Sequence, residues 1–133
     1  MLDNLIIKPV EEGLNSPGIN FNASTGVLEV YGESYVENAK EFYEPVLAWL
    51  NVFIDNYTGT LTFNFKLNYY NTSSSRSIQD IFTVLRRFEE KGNELNVFWF
   101  YDEDEQDPEL EEEVEDFEIV SGVSIKLVAN PAV

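Results

Sequence analysis

Hydroxyl-bearing side chains are concentrated in one short segment of this chain, between an alternating apolar pattern and a helical one. Residues 72–77 (TSSSRS) hold one threonine and four serines. At a strand-to-helix junction, such a hydroxyl can cap the helix by accepting a hydrogen bond from an unpaired backbone N–H. The same N–H groups and the positive end of the helix dipole also favour a phosphate. The pattern therefore leaves two uses open, a cap provided by Thr72, Ser73, Ser74 or Ser75, and a modification site.

A second cluster is acidic. Residues 102–118 hold 12 of the 25 acidic residues and no basic residue. Four side chains fall at ligand positions of an EF-hand loop, namely Asp102, Asp104, Gln106 and Glu113. The sixth position, where that loop needs a glycine, is Asp107. An acidic calcium-binding or interaction module acting through residues 102–118 remains an alternative, although the spacing of Leu110, Val114 and Phe117 favours a helix packed on the domain by one face.

The chain contains no cysteine and no histidine. This excludes disulfides, thiol nucleophiles, the usual zinc ligand sets and every catalytic triad that uses an imidazole. Carboxylates are abundant, but no spacing singles out a pair for acid–base chemistry. The sequence therefore predicts no catalytic residue, no metal ligand and no cofactor, and an enzyme that works with carboxylates is the least favoured class.

The formal net charge is -17. Nucleic acids and anionic membranes attract lysine and arginine, so neither is an expected partner. No segment approaches the roughly 18 consecutive apolar residues of a membrane span. The N-terminal stretch MLDNLIIKPV lacks the basic region and the long apolar run of a secretion signal. We expect a cytoplasmic protein that does not insert into a membrane.

The segments around the hydroxyl cluster have clear periodicities. Residues 19–31 predict a β-hairpin, with Gly26 in the turn. The S-x-x-E spacing of Ser34 and Glu37 is typical of a capping box and predicts that a helix begins at Ser34. Pro45 lies inside the helical pattern that follows, so we expect a kink or a tightened turn between Glu41 and Pro45.

The segment that leads into the cluster alternates between apolar and polar residues. Residues 60–70 (TLTFNFKLNYY) predict a strand with one face in water. The alternation places Tyr69 on the core face and Tyr70 on the opposite face, which makes Tyr70 the better candidate for a partner contact. Behind the cluster, the pattern predicts a helix that ends near Lys91. Residues 97–101 (VFWFY) are continuously apolar and predict a central strand covered on both faces.

With a last alternating run at residues 123–127, the predicted order is β-β-α-β-α-β-(α)-β. Neither an internal repeat nor a linker interrupts it, so we expect a single domain over residues 1–133. This order predicts an α/β fold of α+β-like character, with a single mixed sheet and helices packed mainly on one face.

Three segments in this order resemble the SiaC family of bacterial regulatory phosphoproteins, earlier known as a domain of unknown function. They are residues 32–50 (GESYVENAKEFYEPVLAWL), 67–77 (LNYYNTSSSRS) and 98–118 (FWFYDEDEQDPELEEEVEDFE). The most specific parts are residues 69–74 and 32–38. The resemblance covers most of the chain, from about Ser16 to Phe117.

The resemblance implies a non-enzymatic switch with an architecture similar to anti-sigma-factor antagonists, that is, STAS-like. A threonine in the Asn-Thr-Ser-Ser motif is phosphorylated by a dedicated protein kinase and dephosphorylated by a PP2C-type phosphatase. The unphosphorylated form binds and activates a diguanylate cyclase in a pathway that controls biofilm formation. Carried onto this chain, the resemblance makes Thr72 the phosphoacceptor. We expect the partner contacts to come from neighbouring side chains, namely Tyr35, Tyr70, Asn71, Ser73, Ser74 and Arg76.

Overall fold

The computed structural model describes residues 2–10, 15–103 and 108–130. In this part of the chain there are six strands and three helices. In chain order they are β1 (Leu5–Ile7), β2 (Gly18–Asn22), β3 (Val27–Ser34), α1 (Ala39–Asn56), β4 (Leu61–Tyr70), α2 (Thr72–Glu90), β5 (Leu95–Asp102), α3 (Pro108–Ser121) and β6 (Lys126–Asn130). No helix in the described ranges is long and apolar enough to cross a membrane.

The strands form one mixed sheet in which spatial order equals chain order, β1-β2-β3-β4-β5-β6. The first three strands pair antiparallel, and β3 to β6 pair parallel. Each parallel connection contains one helix and moves the chain in the same direction across the sheet. Right-handed crossovers that all move in one direction place their helices on one face. The predicted α/β fold with a single mixed sheet is therefore confirmed.

The hydrophobic core lies between this helical layer and the sheet. The alternation in β4 buries Leu61, Phe63, Phe65 and Leu67 against the helices, as predicted. In β5, Trp99 is fully buried, and its ring stacks on Phe65 with centroids 4.8 Å apart.

The prediction for β5 is only half right. The strand is internal, between β4 and β6, but it is covered on one face only. Phe98 and Phe100 lie on the open face and are partly exposed, and the Lys66 ammonium lies 5.2 Å from the Phe100 ring centroid. Because all three helices pack on the other face, a continuous apolar run does not require burial on both sides.

Local turn chemistry explains the first half of the fold. β2 and β3 form the predicted hairpin, and Gly26 adopts the positive φ (73°) that the turn requires. β1 was not predicted, because three residues are too few to show a period of two. α1 is not interrupted at Pro45, whose side chain is exposed.

The predicted start of the first helix is wrong. α1 begins at Ala39, and its cap is Asn38, whose side-chain oxygen accepts a hydrogen bond from Glu41 N at 3.2 Å. Ser34 is instead the last residue of β3, paired with Tyr70 of β4, and its side chain is fully buried. Sheet pairing and burial thus outweigh the local capping pattern.

Candidate functional site

The hydroxyl cluster begins α2, but none of its hydroxyls caps the helix. Asn71 is the cap residue, with extended backbone (φ -87°, ψ 174°), and its side-chain oxygen accepts from Ser74 N at 3.0 Å. Thr72 is the first helical residue, and its side chain is exposed. The capping alternative for Thr72, Ser73, Ser74 and Ser75 is therefore wrong, and the cap leaves Thr72 at the surface.

A buried hydroxyl chain fixes the first turn of α2. Ser34 Oγ donates to Ser74 Oγ at 2.8 Å, and Ser74 Oγ donates to the Ser34 carbonyl at 3.0 Å. The Tyr43 hydroxyl lies 2.6 Å from Ser34 Oγ. Because the Ser34 proton is used toward Ser74, Tyr43 must donate in this bond. Burial raises the pKa of Tyr43 to about 12, so the phenol keeps its proton at neutral pH.

The same turn is bonded to the loop between β3 and α1. Asn71 N donates to the Ser34 carbonyl at 3.0 Å, and Asn71 Nδ2 donates to the Val36 carbonyl at 2.9 Å. Ser73 Oγ reaches the same Val36 carbonyl at 3.3 Å. Tyr35 lies in this loop, with 44% of its surface exposed. The loop and the start of α2 are thus held as one unit.

A β-bulge reverses the expected orientations of the two tyrosines at the end of β4. The pairing register jumps from Gly32 opposite Leu67 to Glu33 opposite Tyr69, which leaves Asn68 as an extra residue. Tyr69 is therefore turned outward and is 48% exposed. Tyr70 is turned inward and half-buried, so the prediction that Tyr70 faces outward is wrong.

Tyr69 joins Tyr35 in an exposed aromatic pair. The two ring centroids are 5.6 Å apart. We call these two side chains the aromatic pair. Sequence reasoning missed Tyr69, although one signal was available. Gly32 lies inside a strand, and a glycine there often marks a bulge; its φ is +91° in this fold.

Tyr70 connects the sheet to the acidic helix. Its ring lies near Trp99 and Phe117, with centroids 5.8 and 6.2 Å away, and its hydroxyl donates to a carboxylate oxygen of Glu113. Burial raises the pKa of Tyr70, and the hydrogen bond to the Glu113 carboxylate raises it further. Tyr70 therefore stays protonated and acts as a permanent donor to α3.

A cavity of about 270 Å³ separates the start of α2 from α3. Thr72 and Ser75 line it on one side, and Glu113 and Asp116 line it on the other. Arg76 is exposed one turn beyond Thr72. A second cavity of about 370 Å³, at the carboxyl ends of β4 and β5, shares Tyr70 and Glu113 with the first.

The remaining predicted contact residues divide into accessible and inaccessible side chains. Tyr35, Ser73 and Arg76 are exposed, and Asn71 is partly buried with its side chain engaged in the cap. Ser74 has no exposed surface, so a direct contact with a partner, which we expected from the sequence, does not fit its position.

The acidic segment forms the predicted helix, α3, with Val114 and Phe117 buried against the domain. Asp104 and Gln106, two of the EF-hand-like positions, lie outside the described residues. Within the described ranges, no group of three or more acidic residues is arranged to hold a metal ion.

A model of the SiaC family of regulatory phosphoproteins matches residues 10–130. The chain belongs to the SiaC family. A curated relative, an uncharacterised protein of Pseudomonas aeruginosa (strain UCBPP-PA14), is 32% identical over 100 residues, which are 74% of this chain and 79% of the relative.

Solved structures of the SiaC family have the same fold. SiaC of Pseudomonas aeruginosa matches with a TM-score of 0.80 and 26% identity, over 96% of this chain and 98% of that protein. A chain in the crystal structure of the diguanylate cyclase SiaD in complex with its activator SiaC, also from Pseudomonas aeruginosa, matches with a TM-score of 0.80 and 25% identity. That match covers 93% of this chain and 100% of the other.

Proposed function

We propose that this protein is a non-enzymatic signalling switch. A partner kinase phosphorylates Thr72, a PP2C-type phosphatase removes the phosphate, and the unphosphorylated form binds and activates an effector such as a diguanylate cyclase. The observation that carries the proposal is the exposed Thr72 at the first position of α2, in a member of a family of regulatory phosphoproteins. The Pseudomonas aeruginosa relative, which forms a complex with a cyclase as its activator, supports the choice of effector.

The phosphate must act locally. It adds about 1.5 to 2 negative charges, which changes little in a protein that already carries a net charge of -17. Within an interface, however, one uncompensated buried charge costs about 3 to 5 kcal/mol. This weakens binding by a factor of hundreds to thousands, since each 1.4 kcal/mol is about tenfold. A phosphate under a bound partner is therefore sufficient to switch the complex off.

The aromatic pair is the best-placed surface for the effector. Tyr35 lies next to Val36, whose carbonyl accepts hydrogen bonds from the side chains of Asn71 and Ser73. These bonds fix the position of the loop relative to the start of α2. Exposed tyrosines bring large apolar area with few rotatable bonds, which is why they are enriched among binding hot spots. An effector seated on Tyr35 and Tyr69 would contact the loop that is hydrogen-bonded to Asn71 and Ser73, the residues on either side of Thr72.

Two measurements test the proposal. Intact mass and peptide mapping of the protein purified from its own organism should show one phosphate, on Thr72, that a PP2C-type phosphatase removes. Effector binding, measured with the cyclase that copurifies with a tagged chain, should persist in Thr72→Ala and weaken at least about a hundredfold in Thr72→Asp and Thr72→Glu.

The matched control is Thr83→Asp, the same change on an exposed threonine of the same helix, about three turns from Thr72. It should bind like the wild type. Equal affinity of the alanine, aspartate and glutamate variants of Thr72 would falsify the local-charge mechanism, and a phosphate mapped only to another residue would remove Thr72 from it.

A further inference from the structure

We propose that Glu113 and Asp116 of α3 respond to the phosphate on Thr72, so that phosphorylation loosens α3 from the domain. This inference rests on the proposed function, because it assigns a second consequence to the same phosphate. It makes the two acidic residues positioning residues of the switch.

The geometry places like charges around one surface cavity. Thr72 and Ser75 of α2 share the cavity of about 270 Å³ with Glu113 and Asp116 of α3. A phosphate on Thr72 would bring about two negative charges to the edge of a cavity that already holds two carboxylates. Thr72, Glu113 and Asp116 are exposed. Solvent therefore weakens this repulsion, but like charges closer than the screening length of about 10 Å at 0.1 M salt still repel each other. Arg76 is also exposed, and its single positive charge offsets only part of the charge of the phosphate.

The attachment of α3 to the domain is weak compared with the repulsion that the phosphate would add. Its 14 residues include seven acidic and no basic side chains, and acidic residues four apart, such as Glu112 and Asp116, already repel each other. Its apolar attachment to the domain consists of two buried residues, Val114 and Phe117, and the partly buried Leu110. The hydrogen bond from Tyr70 to Glu113 adds a polar attachment, and it is lost if Glu113 turns away from the phosphate.

The displacement would reach the aromatic pair. The cavity of about 370 Å³ has Tyr69 and Tyr70 on its sheet side and Leu110 and Glu113 on its α3 side. When α3 loosens, Leu110 and Glu113 no longer close the cavity next to Tyr69. The phosphate would then weaken the effector surface in two ways, directly beneath the partner and through α3.

The test uses the full chain with phosphothreonine genetically encoded at position 72, so that no kinase is needed. Hydrogen exchange followed by mass spectrometry should show α3 exchanging at least about tenfold faster than in the unmodified protein. Peptides from α1 and β4 should keep their protection, which reports that the domain remains folded.

The double variant Glu113→Gln/Asp116→Asn should restore slow exchange in the phosphorylated protein, and the glutamine still accepts from Tyr70. The control Glu112→Gln/Glu115→Gln removes the same charge from positions that are equally exposed but do not line the cavity. Because it also relieves repulsion within α3, we expect it to slow the exchange slightly without restoring the protection of the unmodified protein. Unchanged exchange of α3 on phosphorylation would overturn the inference. Equal rescue by the two double variants would do the same, because the effect would then be one of total charge.

The outcomes separate the inference from the proposed function. Faster exchange of α3 with encoded phosphothreonine, together with no phosphate on Thr72 in cells, would refute the proposed function and support the coupling. A phosphate on Thr72 that releases the effector while α3 keeps its protection would support the proposed function and refute the coupling.

Discussion

Tyr43→Phe removes one hydroxyl from the buried chain beneath the hydroxyl cluster and keeps the ring. Tyr43 has no exposed surface, and its hydroxyl lies 2.6 Å from Ser34 Oγ. The change opens no large cavity, so the cost is that of the lost hydrogen bond and of an unsatisfied buried acceptor. Ser34 still donates to Ser74. We therefore expect the free energy of unfolding to fall by about 1 to 2 kcal/mol.

Urea unfolding followed by tryptophan fluorescence measures this change. At about 2.1 cal/mol/K of unfolding entropy per residue, the expected fall corresponds to a Tm decrease of about 4 to 7 °C. Tyr57→Phe is the matched control, because its hydroxyl bonds the Thr60 carbonyl at 3.0 Å at the surface, where water can replace it. We expect Tyr57→Phe to lower the free energy of unfolding by less than about 0.5 kcal/mol.

The pH dependence gives an independent check. The folded-state pKa of Tyr43 is raised from 10.0 to about 12, so the unfolded chain loses this proton first. The stability that tyrosine provides over phenylalanine at position 43 is therefore fully present below pH 10, and it declines as the pH rises from 10 toward 12. Equal stability of Tyr43→Phe and Tyr57→Phe at neutral pH would refute the buried chain as a stabilising feature.

Three further predictions concern the elements around the site. Asn71→Ala should lower the free energy of unfolding by about 1 to 2 kcal/mol, more than Asn38→Ala, because Asn71 caps α2 and also donates to the Val36 carbonyl. Equal losses for the two variants in urea unfolding would contradict this. Gly26→Ala should cost at least about 1 kcal/mol by the same assay, because φ is +73° and a Cβ would lie 2.3 Å from the Tyr57 hydroxyl; a stabilised variant would be inconsistent with that turn. Raising ionic strength from about 0.02 to 0.15 M should increase the Tm in thermal scans, since a net charge of -17 repels itself; a falling Tm would show that attractive ion pairs dominate.

Several elements follow from the sequence because their causes are local. The period of two in β4 and the period of 3.6 in α2 each define one apolar face, and burying that face is the main gain of folding. The position of Gly26 indicates the hairpin turn, since few other residues adopt positive φ. The strand-to-helix junction at Thr72 follows from the change of period between these elements.

The local pattern fails where two segments distant in the chain meet. Ser34 and Glu37 have the spacing of a capping box, but pairing with β4 keeps Ser34 in the sheet and its hydroxyl inside the domain. The spacing of residues in the sequence cannot reveal this outcome, because the hydrogen bonds that hold Ser34 join it to residues far along the chain, such as Ser74, 40 positions away.

The sequence by itself determined the α/β order, the place of the hydroxyl cluster and the acidic character of α3. Only the tertiary structure decided which tyrosine faces outward, because one extra residue in β4, Asn68, exchanges the two faces of the strand beyond it. It also decided that Thr72 and Glu113 border one cavity. Side-chain alternation is a property of the local backbone, whereas a bulge and a shared cavity depend on what the neighbouring strand and helix contribute.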